Sequence, residues 1–198
     1  MQVRPKLLLL IMFGSTASFG VAAGDPPEKA PLPPLNAKVA EFARSHRGEP
    51  VGDGICVSLA VESLRVAGAN ERPAVDPAGR PGDYTWGEPV DLKDVMPGDI
   101  LQFRDAVFAG TRTVRNRRET WRDTYPHHTA VVVATAEKGR LITICHQNVV
   151  QQGEDSSRVG LVREATLRMN SMQPGGYLRA YRPVARTVEP ARNAHGDR

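Results

Sequence analysis

The sequence has few of the features that define several common protein classes. It contains only two cysteines, Cys56 and Cys145, so at most one intrachain disulfide can form. It shows no internal repeat and no nucleic-acid motif, and a net charge of +4 suits an anionic surface without demanding one. The spacing of histidines and cysteines fits no familiar zinc pattern. We therefore expect no nucleic-acid partner, no metal and no cofactor.

The first residues have the pattern of a secretory signal peptide. A basic start (Arg4, Lys6) precedes an unbroken apolar run at residues 7–13, and small residues lead to an acceptable cleavage site at Ala23. Prolines follow at once, so no integral membrane segment is expected once residues 1–23 are removed. A secreted or periplasmic product is predicted. The alternative is a buried N-terminal helix.

The remaining chain predicts one domain between two irregular segments. Residues 24–35 are Pro-rich and predict an extended linker, and residues 185–198 lack an apolar pattern and predict a disordered tail. Residues 36–184 carry two helical patterns followed by strand patterns joined by short turns. This order predicts an α+β domain with N-terminal helices packed on a mostly antiparallel sheet.

Within that domain, Asn36 is expected to cap the first helix, and Cys56 begins a second helix that ends at Gly68. Residues 104–126 predict a long polar loop. Residues 127–136 and 139–149 predict two strands joined by a hairpin turn around Lys138.

Cys56 follows a glycine-rich turn and lies at the start of the second predicted helix. The unpaired N–H groups and partial positive charge of a helix start favour a thiolate. Asp53, three residues earlier, opposes that effect by its negative charge. The helix start alone is therefore insufficient, and a cationic partner such as histidine is needed to activate the sulfur.

On the predicted strands His128 is the candidate for that partner, and His146 or Asn148 can steady its ring. Alternation places His128 on the strand face opposite to His127, and His146 and Asn148 together on one face of the next strand. If that face looks toward Cys56, then Cys145 points away, which disfavours a Cys56–Cys145 disulfide. The alternative is that Cys56 is a structural residue.

These motifs resemble those of the papain-like CHAP domains (cysteine, histidine-dependent amidohydrolase/peptidase). The resemblance rests on Cys56 in GDGICVSLA and on the segments MPGDILQF, HHTAVVV and CHQN. Together with YTWG, the same segments are similar to a cysteine-proteinase-fold domain of fungal actin-patch proteins. The resemblance implies that Cys56 is the nucleophile and His128 the general base. His146 stands where many CHAP domains have the orienting Glu, and Asn148 where they have Asn.

The function implied by the resemblance is that of a secreted cysteine-dependent amidohydrolase or peptidase. Its substrate would be an amide bond in a peptide or in peptidoglycan-like cell-wall material, cleaved through a thioester. The alternative is a non-catalytic binding module that keeps the cysteine-proteinase fold, because a neutral imidazole at His146 stabilises an imidazolium less than a carboxylate does.

Aromatic residues supply the candidate substrate-binding groups. Tyr84 and Trp86 can line the cleft, although packing in the core or in a loop is the stronger expectation for both. Trp121 lies in the arginine-rich segment 104–126, which can gate a cleft or hold anionic groups. A solvated basic loop is the alternative for this segment.

Overall fold

The computed structural model describes residues 31–75, 80–149 and 159–187. From Leu32 onward these residues belong to one compact unit. The predicted signal peptide, residues 24–30 of the predicted linker and residues 188–198 of the predicted tail lie outside the described residues.

Two α-helices open the domain: α1, Pro34–Ser45, and α2, Cys56–Ala67. The bounds predicted for α2 are confirmed, and the helix ends where Gly68 takes a left-handed conformation (φ 80°) that residues with a Cβ adopt at a cost. Within the described residues, no helix is both long and apolar enough to cross a membrane.

Helix α1 begins earlier than predicted, inside the predicted linker. Pro34 occupies the first helical position, where the missing N–H group costs nothing. The prediction that Asn36 caps this helix is therefore wrong. Its buried side chain instead donates hydrogen bonds to the Asp99 carboxylate (2.8 Å) and to the carbonyl of Pro97 (3.1 Å), and so ties α1 to the turn before the sheet.

The described strands form a two-stranded sheet and a six-stranded sheet, and every strand pair is antiparallel. The larger sheet has the order β3-β8-β4-β5-β6-β7. The α+β prediction is confirmed. The strands are β1 Ala74–Val75, β2 Tyr84–Thr85, β3 Glu88–Val90, β4 Ile100–Val114, β5 Arg117–Ala136, β6 Leu141–His146, β7 Arg163–Arg168 and β8 Tyr177–Arg182.

The loop predicted at residues 104–126 is wrong, because β4 and β5 continue through it as a long two-stranded ribbon. Arg115 and Asn116 close the ribbon with φ values of 47° and 62°, the positive pair of a type I′ hairpin turn. Asp105 also has a positive φ, 50°, and the side-chain alternation changes phase there. Phe103 and Ala106 consequently pack in the same core although they are three residues apart.

Each face of the large sheet carries its own hydrophobic core. On the helix face, Val131, Val133 and Cys145 pack with residues of α1 and α2. On the opposite face, the ribbon and the turns of the sheet enclose Ala130, Val132 and Ile144. The expectation that Cys145 points away from the helices is therefore wrong, and both cysteines are free thiols.

Candidate functional site

Cys56 is the first residue of α2 and is half-buried. The turn before it bends at Gly52 and Gly54, with φ values of 61° and 82°, and Ile55 precedes the helix in an extended conformation. Asp53 accepts hydrogen bonds from the Ser58 hydroxyl (2.5 Å) and from the Ile55 N–H (3.2 Å). The glycines thus deliver the thiol to a helix start, as the sequence predicted.

The surroundings of Cys56 keep its thiol protonated. Burial raises the pKa of Cys56 above its ordinary value, and the nearby Asp53 carboxylate adds to the rise. Hydrogen bonding from the backbone N–H groups of Thr129, Val57 and Cys56 itself acts in the opposite direction without cancelling it. Contact with the Thr129 N–H places Cys56 against the helix face of β5.

His128 and His146 form a buried pair joined by a hydrogen bond of 3.1 Å between His128 Nε2 and His146 Nδ1. Their exposed fractions are 5% and 2%. Burial lowers the pKa of His128 to about 3, and the charges of His146 and His127 contribute. Burial also lowers the pKa of His146 to about 4, with a contribution from Arg163. Both imidazoles are therefore neutral at neutral pH.

This pair lies on the sheet face opposite to the helices. The ring of His128 contacts Tyr125 (centroids 5.4 Å apart) and Phe103 (5.9 Å), which belong to the core away from α1 and α2. Within the described residues no hydrogen bond joins Cys56 to His128, and their predicted contact stays a prediction. By the strand period of two, Thr129 faces the helix side and its neighbour His128 faces the other way.

His127 is the imidazole on the helix face of β5. Its ring packs over Gly82, where an added Cβ would lie 2.1 Å from the imidazole carbon Cε1. Its Nε2 atom lies 3.6 Å from Asp83 Oδ1, and 44% of its side chain is exposed. The sequence placed His127 on the strand face opposite to His128, which is confirmed by these contacts.

Asp83 is a buried carboxylate beside this histidine. Its Oδ2 atom contacts the Arg104 guanidinium and accepts a hydrogen bond from the Arg80 N–H (3.0 Å). Its Oδ1 atom is buried and has no hydrogen-bond partner in the part of the chain that the structure describes, with His127 just beyond hydrogen-bond length. A small movement of the His127 ring would supply the missing donor. Sequence analysis gave no role to Asp83.

A row of buried amide groups supports the turn before Cys56. Gln147 accepts from the Val51 N–H (3.1 Å) and donates to the carbonyls of Val51 (2.8 Å) and Ile55 (2.7 Å). Gln102 accepts from the Thr129 hydroxyl (3.0 Å) and from the Trp86 indole N–H (3.1 Å). Sequence analysis did not select either glutamine, although the position of Gln147 on the strand face of Cys145 was a usable signal.

The other predicted site residues lie in different surroundings. Trp86 is 2% exposed and belongs to the core beneath the helices, and Tyr84 packs against it edge-on (5.7 Å between ring centroids). Trp121 lies on the ribbon and packs against the opposite core. Asn148 is exposed and left-handed (φ 61°), just after the end of β6.

No three His, Cys, Asp or Glu side chains come together as a metal site in the described part of the chain. His127 and His128 point to opposite faces of β5, so their rings cannot bind the same metal ion.

Comparison with known families agrees with this architecture. A family model described as the AIM3/BBC1 cysteine proteinase-fold domain matches residues 35–191. No curated protein and no solved structure matches the chain. The predicted similarity to the cysteine-proteinase-fold domain of actin-patch proteins is confirmed by this match. The chain belongs to the AIM3/BBC1 cysteine proteinase-fold domain family.

Proposed function

We propose that this domain is a cysteine-dependent amide hydrolase in which Cys56 is the nucleophile and His127, rather than His128, is the general base. What supports the proposal is the position of Thr129, whose N–H contacts Cys56 and which follows His127 by two residues. Strand alternation puts the side chains of His127 and Thr129 on the same face of β5.

Protonation chemistry favours His127 over its neighbour. A general base needs a pKa near the working pH, so that it can accept a proton and return it. The pKa of His128 is about 3, because burial disfavours the charged ring. His127 is partly exposed and lies beside the Asp83 carboxylate, which can orient the ring and stabilise an imidazolium.

The reaction follows from these positions. His127 takes the proton of the Cys56 thiol as the sulfur attacks the amide carbonyl carbon, and the N–H groups at the start of α2 stabilise the oxyanion. His127 then gives the proton to the leaving amine, and a thioester remains on Cys56. A water molecule attacks that thioester with His127 again as base, which releases the carboxylic acid and restores the thiol.

The substrate class follows the sequence-based prediction. The leader pattern at residues 1–23 favours a location outside the cytoplasm, where amide bonds of cell-wall peptides are the expected target. A small peptide library that samples such bonds would identify the substrate.

A second candidate is a non-catalytic binding module that keeps the fold. The raised pKa of Cys56 favours it, as does the lack of a histidine hydrogen-bonded to Cys56 within the described residues. If the domain is such a binding module, the substitution Cys56→Ala is expected to leave ligand binding unchanged.

Alkylation of Cys56 by iodoacetamide tests the catalytic proposal, with Cys145→Ser as the background to remove the second thiol. The alkylation rate is measured between pH 5 and 9 for the parent, His127→Ala and His128→Gln. We expect His127→Ala to lower the rate at pH 7 at least tenfold, and His128→Gln to change it less than threefold.

Two results would overturn the assignment. One is a parent rate no faster than that of a free thiol at any pH. The other is a rate that depends on His128 but not on His127 in variants whose circular dichroism shows an intact fold.

A further inference from the structure

A groove of about 1280 Å³ lies on the sheet face away from α1 and α2. The ribbon formed by β4 and β5 makes one wall, and the ends of β6 and β7 make the other, at His146 and Ala165. It is separated from Cys56 by the thickness of the sheet, because His146 faces the core opposite to the helices.

Trp121 forms a flat platform in this groove. It pairs across the ribbon with Gly110, and a Cβ at Gly110 would lie 3.1 Å from the indole ring. The indole therefore covers the glycine backbone while remaining half-exposed. Tyr125, which is buried and also lines the groove, lies four residue pairs along the ribbon from Trp121, toward the six-stranded sheet. An exposed ring face held in this way is suited to stack on a flat, partly apolar ring.

The polar groups around the platform combine donors and acceptors of nearly balanced charge. Arg112, Arg122 and Asp123 line the groove, the charge of Arg112 acts on Asp123, and Arg112 pairs with Glu119 at 3.4 Å. Threonine hydroxyls and the Gln173 amide line the rest. His146, although 2% exposed, reaches the floor of the groove, and its Nε2 atom has no hydrogen-bond partner among the described residues.

A single-stranded nucleic acid fits this groove poorly, because it needs a positively charged track and the charges here nearly cancel. An extended peptide that binds by strand addition would use the outer edge of β5, which β6 covers only from Val131 onward. Main-chain pairing makes no use of an exposed aromatic face, so the indole of Trp121 favours a ligand that stacks a ring.

We propose that this groove is a second binding site, which takes an uncharged oligosaccharide by stacking one sugar ring on Trp121. The C–H face of a pyranose covers the indole, and its hydroxyls meet Asp123, Arg112 and the free nitrogen of His146. The site lies on the other side of the sheet from Cys56 and does not depend on the catalytic proposal.

The test is calorimetric titration of the full chain carrying Cys56→Ala with cellohexaose, N-acetylchitohexaose and a single-stranded DNA 20-mer. We expect at least one saccharide to bind and the DNA to bind more weakly. Trp86 is buried, so a change in tryptophan fluorescence on saturation reports Trp121. Trp121→Ala is expected to weaken binding at least tenfold, and Asp123→Asn at least threefold.

Arg118→Ala, near the ribbon turn and outside the lining of the groove, is the matched control and should leave affinity unchanged. Because Trp121 also packs on the core, Trp121→Phe provides a variant that keeps an aromatic ring and should lose less affinity than Trp121→Ala. Absence of saccharide binding, tighter DNA binding, or binding that none of the groove variants changes would overturn the proposal.

Discussion

The buried histidine pair makes the folded state sensitive to mild acid. The pKa values of His128 and His146 in the folded protein are about 3 and about 4, against 6.5 for an ordinary histidine. Between these values the unfolded chain binds protons that the folded chain does not. Stability is therefore complete above about pH 6.5, falls as the pH drops below it, and stops falling below the folded pKa values.

At pH 5 the loss of stability depends mainly on the pKa of histidine in the unfolded chain. The reason is that both folded-state pKa values lie about one unit or more below pH 5. Each histidine then contributes a loss of about 2 kcal/mol between pH 7.5 and pH 5. The pair together removes about 4 kcal/mol, a large part of the roughly 5–15 kcal/mol that holds a typical domain folded. Carboxylates titrate mostly below pH 5, so the loss between pH 7.5 and pH 5 reports mainly on the histidines.

Urea unfolding at half-unit pH steps, followed by circular dichroism, measures this loss. His146→Gln removes one of the two titrating groups and should reduce the loss between pH 7.5 and pH 5 to about 2 kcal/mol. The double variant His128→Gln, His146→Gln should show almost none. A parent protein that keeps its stability to within about 1 kcal/mol at pH 5, or a double variant with the same pH slope as the parent, would refute the reasoning.

Three further variants and one control test the buried hydrogen bonds and the close contact at Gly82. Gln147→Ala leaves the buried turn before Cys56 without its hydrogen bonds and should lower the free energy of unfolding by about 3 kcal/mol in urea titrations. Gly82→Ala should displace the His127 ring and slow iodoacetamide labelling of Cys56. Gly48→Ala is its control, because Gly48 has the same φ of 86° but no atom within 4 Å of the added Cβ. This control should lower the free energy of unfolding by about 1 kcal/mol without slowing the labelling. Asn36→Ala should cost about 2 kcal/mol by the same unfolding assay.

Local signals in the sequence were sufficient for much of the fold. Helix α2 was predicted with its bounds because a glycine turn precedes it and Gly68 ends it. The hairpin turn at Glu137–Gly139 was predicted from two apolar strand patterns on either side of a glycine-containing turn. In each case residues within one or two turns of chain determine the conformation.

The ribbon was missed because its stabilising contacts are not local. Residues 104–126 contain charged and small side chains on both faces, so the segment lacks the apolar alternation that marks a half-buried strand. Its order comes from pairing along the whole length of β4 and β5 and from the packing of Trp121 and Tyr125 on the core. The turn residues Arg115 and Asn116 carry only a weak sequence preference for positive φ.

The choice of face could not be made from sequence either. Alternation correctly separated His127 from His128, and His146 from Cys145, but the residues that follow are apolar on both faces. Val131 and Val133 pack toward the helices and Ala130 and Val132 toward the other core, and all four are buried. A strand buried on both sides gives no signal for which side meets α2.

The two adjacent histidines therefore have different physical tasks. A sheet buried on both faces tolerates a polar side chain only if it is neutral and hydrogen-bonded, which is the state of His128 against His146. The same burial removes His128 from proton transfer near neutral pH, since its charged form is too costly. His127 instead lies beside the Asp83 carboxylate with 44% of its side chain exposed. Substitution at His128 should therefore change mainly stability and its pH dependence, and substitution at His127 mainly the reactivity of Cys56.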